Sequence, residues 1–378
     1  MDYASATPVL REVKRTMDKY YSEDFENPSA IYREGVSMRR EVEDYRKQIA
    51  EVLGIKKADI VFTYGSTEAN NLAILGAFES ARDPLDKTPA IKKPHLIISD
   101  TEHSSVREVA KEVERRGGEV SLAETDEYGR VSVETIRKLI KPNTFMVSVM
   151  LVNNETGVIQ PISKIGREIS TWQKEKGSKY PLLHTDASQA PNYLDVNLDR
   201  LHVDLLSLDG SKIYGPKGVG VLATRVSNSL RPIVFGGGQE RGLRSGTESP
   251  ALIAGFATAL TLVNQDREKE SGRLNLLRKY FVSELENKLP EVKVLGRGSM
   301  LPNIVAVELP KGVLNEFVVL AFDKEGVLVS GGSSCSNLHE GGNESLIRFS
   351  LGRDSNIFDI KRVIKLFPQI MERVKISS

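Results

Sequence analysis

The chain has 378 residues, of which 40% are hydrophobic and 27% charged, a composition ordinary for a globular protein and long enough for more than one average domain. Its 52 basic and 51 acidic residues nearly cancel, so no net charge draws it to nucleic acid or an anionic membrane. No apolar run reaches bilayer-spanning length and no charged-then-apolar leader precedes Met1-Asp2-Tyr3, so the expectation is a cytoplasmic protein.

The first clear element spans 36–53, where Met38, Val42, Tyr45, Ile49 and Val52 fall at steps of four and three, an amphipathic helix with one core-facing stripe. Short β-rich runs then alternate with helical patterns. Residues 59–63 read as a strand, followed by a turn and a helix from Glu68 to Phe78. Residues 95–99 read as a second strand, followed by a helix through Val106, Val109 and Val113. Apolar runs follow at 145–152, 180–184 and 203–208, each ending in polar residues. Strands alternating with helices imply an α/β protein with a mostly parallel sheet covered on both faces. From about Ala251 the pattern changes. A helix over roughly 251–264 leads into a charged stretch, Gln265 to Arg273. Short strands follow at 292–295, 303–308 and 327–329, and a last helix starts near Asn356, with Pro368 expected to kink it or mark a break. This part reads as a smaller α+β domain.

Ligands of open parallel sheets bind beyond the carboxyl ends of the strands, and polar residues collect there. Gly65-Ser66-Thr67 follows the first strand and opens a helix, His103 lies past the second, and Asn153-Asn154-Glu155 ends the third. Asp186 and Gln189 follow the fourth, and Lys212 comes just after the fifth. Each alone has an ordinary reading: an N-cap, a surface histidine, a turn aspartate, a solvated lysine. Together, a phosphate cradle at a helix start, a lysine, a carboxylate and a histidine match what pyridoxal phosphate requires. The single cysteine, Cys335, excludes an intramolecular disulfide and sits in the polar, glycine-rich stretch 330–337, a loop pattern rather than a core segment.

Over nearly its whole length the chain resembles the cysteine desulfurases of the NifS/IscS group, pyridoxal-phosphate enzymes of aminotransferase class V. The resemblance rests on motifs in order: Asp2 to Pro8 with Asn27-Pro28-Ser29, Phe62 to Asn71, Thr101-Glu102-His103, Asn153 to Gly157, His184 to Gln189, Lys212 to Gly218, Arg241 to Thr247, Ser334-Cys335 and Ile347 to Arg353. It implies the fold type I of these enzymes. A large domain over 15–250 would hold a seven-stranded, mostly parallel sheet, and a small α+β domain of 1–14 and 251–378 would carry the cysteine loop. It implies a Schiff base at Lys212, Asp186 facing the pyridine nitrogen, Gln189 on the ring's phenolic oxygen, and His103 stacked on the ring as acid-base group. Ser66, Thr67 and Ser211 would hold the phosphate, with Thr247 reaching it from the other subunit of a homodimer. Arg348, helped by Asn154, would grip the carboxylate of L-cysteine. Cys335 would take the sulfur as a persulfide, alanine would leave, and an acceptor protein (an iron-sulfur scaffold or thiolation factor) would collect the sulfur. No metal, nucleic acid or membrane is called for.

Three departures from the family pattern stand out. The usual Ser-x-His-Lys reads Asp209-Gly210-Ser211-Lys212. An aspartate beside a phosphate dianion is repulsive, on the order of 1 kcal/mol or more, so it turns away, is offset by a cation, or weakens cofactor binding. Tyr32 replaces the usual histidine after the Asn-Pro-Ser motif. Twelve residues separate Cys335 from Arg348, a short loop. Five residues from Ser330 give Cys335 a reach of about 17 Å, which implies a restricted choice of acceptor. The competing readings are a selenocysteine lyase and, outside enzymes, a degenerate paralogue that binds sulfur-transfer proteins.

Overall fold

The computed structural model describes residues 1–83, 89–332 and 345–377. Cys335 and the other residues of 333–344 lie outside this set. Helix α1 (Arg11–Asp18) is followed by α2 (Arg33–Leu53), and then by β1 (Ile60–Thr63), α3 (Ser66–Arg82), β2 (His95–Ser99), α4 (Ser104–Arg115), β3 (Glu119–Ala123), α5 (Val133–Leu139), β4 (Thr144–Ser148), α6 (Ile162–Lys176), β5 (Leu182–Asp186), α7 (Leu198–Leu201), β6 (Leu205–Asp209) and β7 (Gly220–Thr224). Then come α8 (Pro250–Lys288), β8 (Lys293–Val294), β9 (Ile304–Glu308), α9 (Asn315–Lys324), β10 (Ser330–Gly331), β11 (Leu346–Ser350) and α10 (Ile357–Ser377).

The large sheet has seven strands in the order β1-β7-β6-β5-β4-β2-β3. Pairings from β6 through β3 are parallel, whereas β7 runs antiparallel to both its neighbours. Alternating strand residues feed two cores. Val61, Leu96, Ile98, Met146 and Leu222 pack with α3 and α4, while Ile60, Ile97, Val147, Leu206 and Val221 belong to the core that also takes side chains of α2, α6 and α8. That two-sided burial explains why these strands read as continuous apolar runs. Of the expected stripe of α2, Met38, Val42 and Ile49 are buried while Tyr45 and Val52 are only partly buried against the core. Leu53, outside the expected stripe, is buried as well, and the helix ends on Gly54 at φ 69°, the left-handed geometry a glycine supplies most cheaply.

A second sheet, β10-β11-β9-β8, is antiparallel throughout. Several expected boundaries move. Residues 327–329 are not a strand; the two-residue β10 follows instead, pinned opposite Ile347 and Arg348 of β11. α10 continues as one element through Pro368. The charged stretch 265–273 is no connector, because α8 runs 39 residues through it. Arg273 pairs with Glu270 one turn back and donates to the carbonyls of Gly352, Arg353 and Ser355, while Glu268 and Lys269 face solvent, so polarity there costs the helix little.

Candidate active site

The carboxyl ends of β1, β2, β5 and β6 face one edge of the sheet, and Ser66, Thr67, His103, Asp186, Gln189, Ser211 and Lys212 lie at or just after them in the chain. Lys212 sits three residues past β6. Its turn is held by Thr7, whose amide and hydroxyl both donate to the Ser211 carbonyl at 2.9 Å, and by Asn192, which donates to the Lys212 carbonyl at 2.7 Å. The Lys212 ammonium donates to the carbonyls of Ala4 (3.1 Å) and Ser5. Burial, with the positive charge of Arg348 assisting, holds its pKa below the usual lysine value; Asp209, Asp186 and Asp2 pull the other way. Gln189 donates to the same Ala4 carbonyl at 2.9 Å, so amide and amine flank one backbone oxygen.

Asp186 is buried at the end of β5. One oxygen accepts from the Ser188 amide (2.9 Å) and hydroxyl (2.6 Å), and the other accepts from Asn70 Nδ2 at 2.8 Å. Asn70 is fully buried on α3 and also donates to Ser105 Oγ at 2.9 Å, which lies 2.9 Å from His103 Nδ1. His103 caps α4: its Nδ1 accepts from the Ser105 amide, so in the neutral ring the proton sits on Nε2, which remains a donor. A polar chain, Asp186–Asn70–Ser105–His103, thus ties together two groups expected to act on the same ring. Nothing local in the sequence marks Asn70 or Ser105, because their partners are 116 and 35 residues away in the chain.

Arg348, buried on β11, is the other pole. Its guanidinium donates to the Asn154 carbonyl (2.7 Å), Ser5 Oγ (2.7 Å), Ser330 Oγ (3.0 Å) and Asp2 Oδ1 (3.0 Å). Asn154 therefore meets it through the backbone rather than the side chain. Its Nε is buried with no partner among the described residues, a donor left for a further acceptor. Asp2, Ser5 and Ser330 carry this arrangement and had no assigned role in the sequence; the motif Asp2 to Pro8 was the available signal.

The cradle at the start of α3 is built by register. Thr63 pairs with Gly220, and Gly220 pairs with Asp209. A Cβ at Gly220 would lie 2.6 Å from Gly65 Cα, so only glycine lets the turn close there. Ser66 and Ser211 are brought together around the carboxylate of Asp209. Thr67 is exposed; it and His103 line a cavity of about 420 Å³ between α3 and α4 that none of Lys212, Asp186 or Gln189 reaches. Thr247 is exposed, and its side chain makes no hydrogen bond among the described residues. Tyr32, the residue before α2, is half exposed and its side chain caps nothing.

Glu102 is fully buried. Burial, and next the negative Asp186, push its carboxyl up to about 8 against hydrogen bonds from Ser99 Oγ and the Met150 amide. His184 is a packing residue, its nitrogens on Ser148 and Ser207 and its pKa lowered by burial to about 4.

The aminotransferase class-V family model matches residues 1–363. A cysteine desulfurase IscS of Dictyoglomus turgidum is 35% identical over all of this chain and 95% of its own length, and a cysteine desulfurase IscS 1 of Archaeoglobus fulgidus is 36% identical over all of this chain and 98% of its own. Among solved structures, a NifS-like protein superposes with a TM-score of 0.89 at 29% identity, with 98% of each chain covered. The structure of SspA in complex with cysteine gives 0.74 at 32% identity, over 93% of this chain and 97% of that one.

Proposed function

Because this chain belongs to the aminotransferase class-V family, whose members use pyridoxal phosphate, we propose that it is a cysteine desulfurase that converts L-cysteine to L-alanine and receives the sulfur on Cys335. One observation carries the reading. Ser5 joins the two poles of the site: its carbonyl accepts from the Lys212 amine and its hydroxyl from Arg348. An amine and a guanidinium held to one residue match the amino and carboxylate ends of an α-amino acid.

The residues fit the cofactor. Asp186 is a buried carboxylate with both oxygens oriented, as a pyridinium partner needs to be, and the carboxylate of Asp209 stands in as an anion on the donors of Ser66 and Ser211. When bound, pyridoxal phosphate supplies an electron-withdrawing ring that labilises the bonds at the substrate α- and β-carbons. Lys212 would hold it covalently and, with its lowered pKa, act as the base at the substrate α-carbon. Gln189 would donate to its phenolic oxygen, and His103 would serve the substrate thiol from Nε2. Arg348 would take the substrate carboxylate, with Asn154 fixing the guanidinium.

Sulfur transfer then balances within substrate and protein. The thiolate of Cys335 attacks the substrate sulfur, an S–S bond forms, and the Cβ–S bond breaks. The pair left on carbon takes a proton, giving alanine and an enzyme persulfide. Ser330 and Gly332, which precede Cys335 in the chain, lie beside the site, since Ser330 accepts from Arg348 and Gly332 donates to the Leu346 carbonyl. A second subunit is proposed to supply Thr247, and an acceptor protein to collect the sulfur. The test is alanine release from cysteine. Lys212→Ala is expected to release none, and Arg348→Lys to raise KM about tenfold or more, since a lysine loses the two-pronged grip. Wild-type rates from Lys212→Ala would refute the reading.

A further inference from the structure

Asp209 occupies the position from which a phosphate would be held. Its Oδ1 accepts from the Ser211 amide (2.8 Å) and hydroxyl (2.6 Å), and its Oδ2 from the Ser66 amide (3.1 Å) and hydroxyl (3.3 Å). Both oxygens are thereby engaged, and they use the free amide at the start of α3 and the hydroxyls that the phosphate reading assigns to the cofactor. The contact is enforced by the backbone. Gly220 lets Gly65 close onto the end of β6, and a Cβ at Gly65 would lie 3.1 Å from Oδ2. The carboxylate thus spans the gap between the end of β6 and the first turn of α3, satisfying donors that a helix start otherwise leaves open.

We infer that Asp209 is an internal anion that competes with the phosphate of the cofactor for this cradle. Resting on the pyridoxal-phosphate reading above, the inference goes beyond it: the cofactor is held exchangeably, and the cofactor-free chain keeps its cradle filled. A phosphate monoester can take the Ser66 donors only by displacing the carboxylate, and afterwards the two anions share one small site. A neutral side chain at 209 removes both costs. The aldehyde end of the ligand, bound at Lys212, is indifferent to the exchange, so the effect belongs to ligands that carry a phosphate.

Cofactor-free wild type, Asp209→Ser and Asp209→Asn are titrated with pyridoxal phosphate and, separately, with pyridoxal, following the visible absorption of the lysine-bound ligand and its retention on dialysis. The asparagine variant guards against a folding defect, since its amide oxygen still accepts from Ser211. Both variants are expected to bind pyridoxal phosphate about tenfold more tightly, or to release it about tenfold more slowly, with pyridoxal unchanged. Equal affinity for pyridoxal phosphate in all three proteins overturns the inference, and so does weaker binding in the variants, which makes Asp209 a ligand instead of a competitor. Absence of visible absorption in every protein, including Asp209→Ser, overturns the cofactor reading itself.

Discussion

Asp186 is held from one side by Ser188 and from the other by Asn70, which links it to the Ser105 hydroxyl beside His103. Lys212 in its turn, Asp186 at the end of β5 and Arg348 within β11 are charges beside apolar runs and stand out in the chain. Asn70 does not, because an asparagine inside a helix is unremarkable until β5 brings Asp186 beside it. The sign of the Asp209 problem could be read from its charge; only the register through Gly220 shows that the carboxylate lies in the cradle rather than turned away. Glu102 yields a prediction at this scale. Its pKa is raised in the folded protein from 4.5 to about 8, so between those values the native state holds a proton that the unfolded chain has lost. Stability therefore falls as pH rises across that window and levels off above it. Glu102→Gln, which keeps an acceptor for Ser99 and Met150, should flatten this slope in urea unfolding run at a series of pH values; an unchanged slope would show that Glu102 ionises normally. Lys212 gives the opposite case for binding. With its pKa lowered by burial, a larger share of the amine is neutral below the usual lysine range, so capture of the aldehyde should rise at a pH below 10.5, read from the pH dependence of cofactor uptake.

At the scale of elements, continuous apolar runs located β2 to the residue and β1 to within one, since both faces of these strands are buried. β3 was missed because four of its five positions are partly or fully exposed, and β7 because its run follows directly on the lysine turn. The charge of 265–273 gives no apolar period to follow, yet α8 continues through it because Arg273 finds its partners there. The segment leading to Thr247 is anchored by Glu240, whose carboxylate forms a two-pronged pair with Arg46 at 2.7 Å and also accepts from the Phe62 amide. Both side chains are almost wholly buried. Glu240→Ala leaves the Arg46 guanidinium buried without its partner and should cost about 3–5 kcal/mol, measurable by urea denaturation. A loss under 1 kcal/mol would mean that water reaches the pair.

At the scale of the molecule, two sheets are tied by α8 and by the N-terminal segment, which touches Lys212 on one side and Arg348 on the other. Large apolar side chains remain outside: Phe25, Ile31, Tyr64 and Phe235 are 70, 94, 71 and 82% exposed. Large exposed apolar side chains are candidates for an association surface, and they are the first place to test for the proposed homodimer. Ile31→Asp combined with Phe235→Asp should shift the protein to monomer in sedimentation and weaken its hold on pyridoxal phosphate; an unchanged dimer would place the interface elsewhere. The central claim is that sulfur passes from cysteine to one thiol of this chain. Intact-mass spectrometry after brief incubation with cysteine and pyridoxal phosphate tests it most directly. The account predicts a species heavier by one sulfur atom, lost on reduction, mapped to the peptide of Cys335 and absent in Cys335→Ala; alanine formed with no added sulfur on the wild-type protein would contradict it.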